Sequence, residues 1–332
     1  MNDISYSDMR SLLKSCLYEV RLDTTKAEAA RISTGFNSLD ELIGGFEKGK
    51  VYVIGGRPAM GKDTFMLSMI RNIIMESKLS VLLFSTNHRK SDDVFRLLSI
   101  HCDIPTSKLR KGRLEAFWEE RLDEKAGTLI DAPLFIHDSL DLPLSELTET
   151  ARHCIKEKEV KIIFIDCLQM IDFDKVDINS SERIAKVMNA LKQLAYETDL
   201  PIVVGSMLHR DVGRRNGLEG KRPQLTDLQN SCYIEELADV VIMVHRPEYY
   251  QILQDEDGRD LRGLMEIIVK KNALKPLGSI MLEYQQETGR LRLPEETEKP
   301  VPEPICLEDF RTDDQIIENL IKTFDLEDGF PF

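Results

Sequence analysis

The 332-residue sequence lacks the long hydrophobic runs and the leader that would direct a chain into or across a membrane. It contains no run of about 18 apolar residues, so no membrane-spanning helix is expected. Residues 1–10 are polar and acidic, without the apolar core of a secretory signal. Together these absences predict a cytoplasmic protein with no membrane partner.

Cysteine pairs are missing as well. The six cysteines are scattered along the chain, without a CxxC pair or a cluster of histidines beside them. Such a distribution is typical of reduced thiols in a cytosolic protein, and it indicates no zinc site.

The sequence also lacks an excess of positive charge. Its net charge of -14 argues against a protein that coats nucleic acid. The charge is uneven, however: residues 295–332 hold twelve Asp/Glu and three Lys/Arg, a net of -9, which leaves -5 for residues 1–294. A local basic strip in the first 294 residues could therefore still bind nucleic acid.

What the sequence does contain is an alternation of strand and helix patterns from Ile32 onward. The predicted strands are Val51–Ile54, Val81–Phe84, Leu134–His137, Lys161–Ile165, Ile202–Ser206, Val240–Val244 and Leu264–Val269, with a hairpin at Ser279–Tyr284 and Leu291–Leu293. The predicted helices are Asp63–Ser77, Lys90–His101, Ser145–Lys158 and Ser181–Thr198. This alternation predicts an α/β fold with a doubly wound, mainly parallel sheet.

Two flanking segments differ from this pattern. Residues 8–20 carry one apolar stripe at helical spacing, which must pack either on the chain's own core or on a neighbouring subunit. A charged, proline-rich linker and an acidic tail follow Leu293. The predicted organisation is a linker helix in residues 1–30, an α/β domain in residues 31–294 and a flexible tail in residues 295–332.

The segment from Gly56 to Lys62 has the GxxxxGK spacing of a phosphate-binding loop, between a predicted strand and a predicted helix. The backbone N–H groups of such a loop hold phosphates at a helix N-terminus, and its lysine reaches the β and γ oxygens. The predicted nucleotide-binding residues are Gly56, Arg57, Pro58, Ala59, Met60, Gly61, Lys62, Asp63 and Thr64.

The residue after the lysine is unusual. A serine or threonine hydroxyl normally binds Mg²⁺ there, but this chain has Asp63, and Thr64 comes one position too late. A carboxylate could bind the metal, but it also places negative charge beside the phosphates. Each charge pair is worth about 4 kcal/mol at ~4 Å and an effective dielectric near 20, and the two effects oppose each other.

A second phosphate-site element is the apolar run Ile162–Ile165 followed by Asp166, about 100 residues after the loop. This is a Walker B arrangement, in which the aspartate holds Mg²⁺ through water. The sequence therefore predicts ATP and Mg²⁺ as cofactors, with Lys62 and Asp166 as catalytic residues and Asp63 and Asp166 as metal ligands.

Three segments together resemble the bacterial replicative helicase (DnaB) family: Ser33-Thr34-Gly35-Phe36-Asn37-Ser38-Leu39-Asp40, Gly56–Lys62, and Ile165-Asp166-Cys167-Leu168-Gln169-Met170. Further matches are Leu208, Arg210, the run Ala238–Met243 and Arg246. The resemblance covers roughly residues 30–294. It implies a RecA-type ATPase domain, a hexameric ring, single-stranded DNA in a central channel, and a linker helix that docks on the next subunit.

The residues that the family uses for hydrolysis differ here. Asn87 replaces the glutamate that activates the attacking water, and an amide cannot supply general-base catalysis, which contributes about 10²–10⁴-fold. His88 would point to the opposite side if the strand continued. Met207 replaces a sensor glutamine, and Ala273 replaces a finger arginine worth about 10³–10⁵ in rate.

Together with Asp63, these replacements predict a nucleotide binder with weak or absent turnover. Lys271 and Lys275 remain in the finger segment and could still contact a neighbour's nucleotide.

The segment between His209 and Asn230 is basic and glycine-rich. The resemblance implies that it lines the DNA channel, and its candidate DNA-binding residues are Arg210, Arg214, Arg215, Lys221 and Arg222. Against DNA binding, the arginine and glycine of the family's Asp-Leu-Arg-Glu-Ser-Gly motif are absent from residues 227–232, and no aromatic residue lies within the strip. A solvated surface loop is the other interpretation.

Three hypotheses therefore remain at the level of sequence. The chain is an ATP-driven DNA helicase, a nucleotide-gated scaffold or regulator of a replication or recombination complex, or an interaction protein whose acidic tail occupies the basic strip of a neighbour.

Overall fold

The computed structural model describes Met9 and residues 31–294, apart from residues 173–179, Asn230 and Leu274. The predicted linker helix, apart from Met9, and the whole of the predicted acidic tail lie outside the described residues. Among the helices described, none has the length and hydrophobicity needed to cross a membrane.

The described chain alternates strands with helices, as the sequence predicts. The strands are β1 Val51–Gly56, β2 Val81–Ser85, β3 Leu134–Asp138, β4 Leu142–Pro143, β5 Ile162–Ile165, β6 Ile171–Asp172, β7 Ile202–Met207, β8 Val240–His245, β9 Leu264–Asn272, β10 Gly278–Gln285 and β11 Arg290–Arg292. The helices are α1 Asn37–Ile43, α2 Lys62–Asn72, α3 Lys90–Cys102, α4 Thr106–Lys111, α5 Ala116–Ile130, α6 Leu144–Lys158, α7 Ser180–Thr198, α8 Gly217–Lys221 and α9 Ser231–Leu237.

Nine strands form one sheet in the order β11-β10-β9-β8-β1-β7-β5-β2-β3. The six strands from β8 to β3 pair in parallel, and β9 to β11 extend the sheet with antiparallel pairs. Two hydrophobic clusters of buried residues lie on the two faces of the sheet, because the central strands are buried on both sides. The predicted doubly wound fold is confirmed.

The topology brings the candidate site together. β1, β7, β5 and β2 are neighbours and run in parallel, so the segments that follow them all begin at the same edge of the sheet. Ligands of such sheets bind outside the carboxyl ends of the strands. The phosphate loop, Asp166, Asn87 and the basic segment all lie at this edge.

Residues 103–133 form structure that the sequence patterns do not predict. Helices α4 and α5 pack beside α3 around a small separate core of Cys102, Ile104 and Trp118. Arg121 and Arg290 both pair with the nearly buried Asp103, at 2.9 and 3.0 Å. These contacts join the added helices to the strand end of the main sheet.

Candidate nucleotide-binding site

The phosphate loop is the turn between β1 and α2, and its backbone conformation depends on glycine. Gly61 has φ +88°, and a side chain there would also approach the methyl group of Met265 to 2.4 Å. Ala59 has φ +64°, which is rare for a residue with a side chain. Met60 is buried beneath the turn and fixes it to the core. The first N–H groups of α2 have no partner within the helix and are available to an anion.

Lys62 is the first residue of α2 and is 7% exposed. Its Nζ donates to the backbone carbonyl of Asp166 at 2.6 Å and to the carboxylate of Asp63. β7 must carry Gly205 at this point, because a Cβ there would lie 2.1 Å from the Asp166 oxygen and 2.7 Å from Nζ. Strand β7 therefore leaves space for the lysine beneath the loop.

Asp166 follows β5 and is bound by the residues that follow β2. Its Oδ1 accepts from the backbone N–H of Thr86 at 3.0 Å and from the Thr86 hydroxyl at 2.5 Å, and its Oδ2 accepts from Asn87 N–H at 3.0 Å. These bonds use three of roughly four acceptor positions of a carboxylate. One position remains for a metal-bound water.

The structure corrects the predicted orientation of His88. β2 ends at Ser85 and the chain bends over the next three residues, so the alternation of a strand no longer applies. His88 Nε2 lies 3.9 Å from Asp63 Oδ2, and both residues line one small cavity. The prediction that His88 faces away from the site is wrong.

Asp63 and His88 each change the pKa of the other. Burial favours the neutral form of Asp63, but hydrogen bonding to His88 and the Lys62 ammonium outweigh burial and hold the Asp63 pKa below its usual range. The carboxylate of Asp63 raises the pKa of His88 against the effect of its partial burial. Asp63 is therefore ionised over the whole physiological range.

Asn87 occupies the position predicted for the missing base. Its backbone N–H binds Asp166, as described above, and its side chain bonds to the buried thiol of Cys167. The side chain thus joins the ends of β2 and β5. Its degenerate catalytic role stays a prediction.

Gln169 connects the ends of β5 and β7. Its Nε2 donates to Ser206 Oγ at 2.9 Å, and its Oε1 accepts from the backbone N–H of Met207 at 3.0 Å. Met207, which replaces the sensor glutamine, is thereby held by its backbone rather than by its side chain.

Arg246, which follows β8, contacts the phosphate loop from the other side. It is 7% exposed, donates to the Ala59 carbonyl at 3.3 Å, and its guanidinium lies 4.3 Å from the ring centre of Tyr284. The resemblance includes Arg246 as a matching residue but does not predict this contact, because Tyr284 is 38 residues away in the sequence.

The basic segment follows β7, beside the phosphate loop, and three of its five candidate residues bind within the chain. Arg215 pairs with the buried Asp227, Arg222 pairs with the buried Glu266, and Lys221 donates to the Gly213 carbonyl at 2.9 Å. Arg210 is exposed, and Arg214 pairs only with the exposed Asp211. These two arginines are the ones directed to solvent.

Aromatic residues also approach this segment from elsewhere in the chain. The ammonium of Lys221 lies 4.6 Å from the ring centre of Tyr250, which meets the ring of Tyr249 edge-on at 5.3 Å. Tyr249 is half exposed. The sequence shows no aromatic residue within the strip because Tyr249 and Tyr250 are contributed by the segment after β8.

The lysines of the finger segment are bound within the chain. Lys271 Nζ donates to the carbonyls of Glu235 at 2.5 Å and Ala238 at 2.6 Å, at the C-terminus of α9. Lys275 Nζ donates to the Glu41 carbonyl at 3.2 Å, near the end of α1. Ala273 is exposed between them.

The fold and the site together define a P-loop protein with a RecA-type α/β domain. Residues 31–292 match the family model of the DnaB-like helicase C terminal domain. The chain belongs to this family, and the resemblance inferred from the three sequence segments is confirmed.

Two relatives illustrate the match. The chain is 32% identical over 288 residues to a probable replicative DNA helicase of Trieres chinensis, across 85% of this chain and 62% of that protein. It is 32% identical over 265 residues to the replicative DNA helicase DnaB of Treponema pallidum, across 80% of this chain and 56% of that protein. The chain thus spans about three-fifths of the length of these relatives.

Solved structures share the fold. One of them, the ATPase domain of another protein, superposes with a TM-score of 0.75 at 23% identity, across 87% of this chain and 99% of that one. A DnaB-like replicative helicase, solved in a study of its interactions with primase, has a TM-score of 0.73 at 23% identity, across 88% of this chain and 68% of that one.

Proposed function

We propose that this chain binds ATP together with Mg²⁺ at the phosphate loop and hydrolyses it weakly or not at all. The observation that carries the proposal is the pairing of an intact loop with an incomplete catalytic edge. Lys62 and the glycine-dependent turn are in place, whereas the end of β2 presents the amide of Asn87, bound to Cys167.

The residues fit a nucleotide and a metal ion. Asp63 and Asp166 line one cavity next to Lys62, and carboxylates are ligands that Mg²⁺ prefers. The metal would supply neutralisation of phosphate charge in this place. Arg246, stacked on Tyr284 beside the loop, also offers a flat cationic surface of the kind on which a nucleotide base packs.

The experiment compares ATP hydrolysis by the chain and by its Asn87→Glu variant, with Mg²⁺ and with or without single-stranded DNA. We expect turnover near background in the unmodified chain and a gain of at least about tenfold in the variant, because a carboxylate restores a base. An Asn189→Glu change on the exposed face of α7 adds the same charge elsewhere and serves as control.

Each result decides between the hypotheses. DNA-stimulated turnover in the unmodified chain would contradict the proposed loss of hydrolysis and identify a working helicase ATPase. Retained ATP binding without turnover in either chain would favour the alternative, a nucleotide-gated scaffold or regulator.

Single-stranded DNA and a ring of like subunits, such as a hexamer, complete the proposal. Support comes from family membership and from the exposed Arg210 and Arg214 next to the phosphate loop. Sedimentation of the full chain with ATP and Mg²⁺ tests the assembly, and a monomer at every concentration would contradict it.

A further inference from the structure

The lysine of the phosphate loop is already bound by an anion from its own chain. Lys62 Nζ donates both to the Asp63 carboxylate and to the Asp166 carbonyl, with its side chain 8% exposed. An ammonium group has three N–H donors, so these two bonds leave one free. In this structure the Asp63 carboxylate occupies the lysine that the β and γ phosphates need.

Asp63 also takes a second feature of the anion site. It lies in the first turn of α2, where the positive end of the helix dipole stabilises negative charge. A phosphate on this loop would use the same dipole and the same ammonium. The carboxylate and the phosphate therefore compete, and they repel each other when both are present.

The charges around the loop increase this conflict. The adjoining cavity is lined by Asp63, Asp93 and Asp166, against the single imidazole of His88. Asp93 accepts a hydrogen bond from Ser85 Oγ at 2.6 Å and is nearly buried. A site with this many carboxylates does not attract a free polyphosphate in the way that an uncompensated lysine does.

A divalent cation resolves the conflict. Within the described residues, no three His, Cys, Asp or Glu side chains are grouped so that they could hold a metal ion by themselves. Mg²⁺ is usually bound by one or two carboxylates together with substrate phosphates. The cation and the nucleotide would thus complete each other's site at Asp63 and Asp166.

We propose that Asp63 acts as an internal substitute for phosphate and makes nucleotide binding conditional on a divalent cation. This inference rests on the proposed nucleotide-binding function. Without the cation, the carboxylate holds Lys62 and repels the phosphates. With the cation, the carboxylate becomes a ligand and Lys62 is released to the nucleotide. A hydroxyl residue at this position would also bind the metal, but it would not oppose the phosphates in its absence.

The test measures the affinity of the full chain for a fluorescent ATP analogue, in EDTA and in Mg²⁺. The variants are Asp63→Asn, which keeps the size of the side chain, and Asp63→Thr, which supplies the usual hydroxyl. Asp123→Asn, on the exposed surface of α5, removes the same charge elsewhere and serves as the matched control.

In EDTA we expect both Asp63 variants to bind on the order of 10–100-fold more tightly than the unmodified chain and the Asp123→Asn control, because one like charge is removed. In Mg²⁺ we expect the unmodified chain and Asp63→Thr to agree within about threefold, because both keep a metal ligand. Mg²⁺ should strengthen binding least in Asp63→Asn.

Two results would overturn the inference while leaving nucleotide binding intact. One is equal affinity of the unmodified chain and Asp63→Asn in EDTA. The other is tight binding by Asp63→Thr in Mg²⁺ while the unmodified chain stays weak, since Asp63 would then block the site in all conditions. If no chain binds the analogue even with Mg²⁺, the proposed function itself fails.

Discussion

The phosphate loop and the basic segment lie side by side, after the neighbouring parallel strands β1 and β7, yet they use charge in opposite ways. In the loop, one lysine is placed by a rigid backbone turn directly under the anion site, and its partners are Asp63 and Asp166. In the basic segment, most cations pair with buried carboxylates or carbonyls of the same chain and hold the segment in place.

This difference shows that the number of cations in a segment does not measure the charge that it offers to a ligand. Five basic residues after β7 leave Arg210 and Arg214 directed to solvent. In the loop, by contrast, the position of Lys62 follows from local geometry that few neighbours can alter. The predictions below address this contrast, beginning with the largest effect.

Loss of the loop lysine should have the largest effect. We expect Lys62→Ala to weaken binding of the ATP analogue in Mg²⁺ by at least about 100-fold, because a charged donor to the phosphates is removed and Asp63 remains. Fluorescence titration measures the change, with Lys48→Ala at an exposed ion pair as control. Similar affinities for the two variants would mean that the loop is not the nucleotide site.

Burial of His245, beside the basic segment, should make stability depend on pH. Burial lowers the pKa of His245 to about 4, from an ordinary value of 6.5. Between these values the unfolded chain binds a proton that the folded chain does not, so stability falls as the pH decreases from 6.5 towards 4. The expected loss is about 3 kcal/mol, and none of it arises well above the ordinary pKa.

Denaturant unfolding at about pH 7 and about pH 4.5 measures this loss against a His245→Phe variant, which keeps a ring but cannot titrate. The unmodified chain should lose about 2–3 kcal/mol more than the variant over this interval. Equal losses would show that other groups account for the acid sensitivity.

The two classes of arginine in the basic segment should separate in stability. Arg215→Ala leaves the Asp227 carboxylate, 6% exposed, without its partner, and we expect a loss of about 2 kcal/mol, because the arginine is itself partly exposed. Arg214→Ala removes an exposed pair and should change stability by less than about 0.5 kcal/mol. Thermal unfolding compares them, and equal midpoints would contradict the assigned contacts.

The smallest effect concerns DNA. If single-stranded DNA binds along the basic segment, Arg210→Ala and Arg214→Ala should each reduce the slope of log affinity against log salt by roughly 0.7. Fluorescence anisotropy with an oligonucleotide at several salt concentrations measures the slope. Unchanged slopes in both variants would exclude these two arginines as phosphate contacts.

Much of the fold followed from local patterns. Nearly all the predicted strands and helices occur close to their predicted bounds, because the buried parallel strands are continuous apolar runs and the helices carry one apolar face. Helices α4 and α5 were not predicted. They pack around a small core centred on Trp118, and their sequence lacks a strong apolar period.

The candidate site was predicted less evenly. The loop residues and Asp166 were found because their spacing is dictated by backbone geometry over a few residues. The position of His88 was predicted wrongly, since the chain bends directly after β2 and the bend depends on the bonds from Thr86 and Asn87 to Asp166. Those bonds join residues 80 and 79 positions apart, and no local pattern reports them.

The sequence by itself determined the family, the parallel sheet and the phosphate loop, because each depends on short-range periodicity or on fixed spacing. Only the tertiary structure decided which charges are free. It paired Lys62 with Asp63, turned His88 towards them, and bound Arg215 and Arg222 to buried carboxylates. The physical reason is that Coulomb and desolvation energies depend on distances between groups in space, and a sequence specifies those distances only after it has folded.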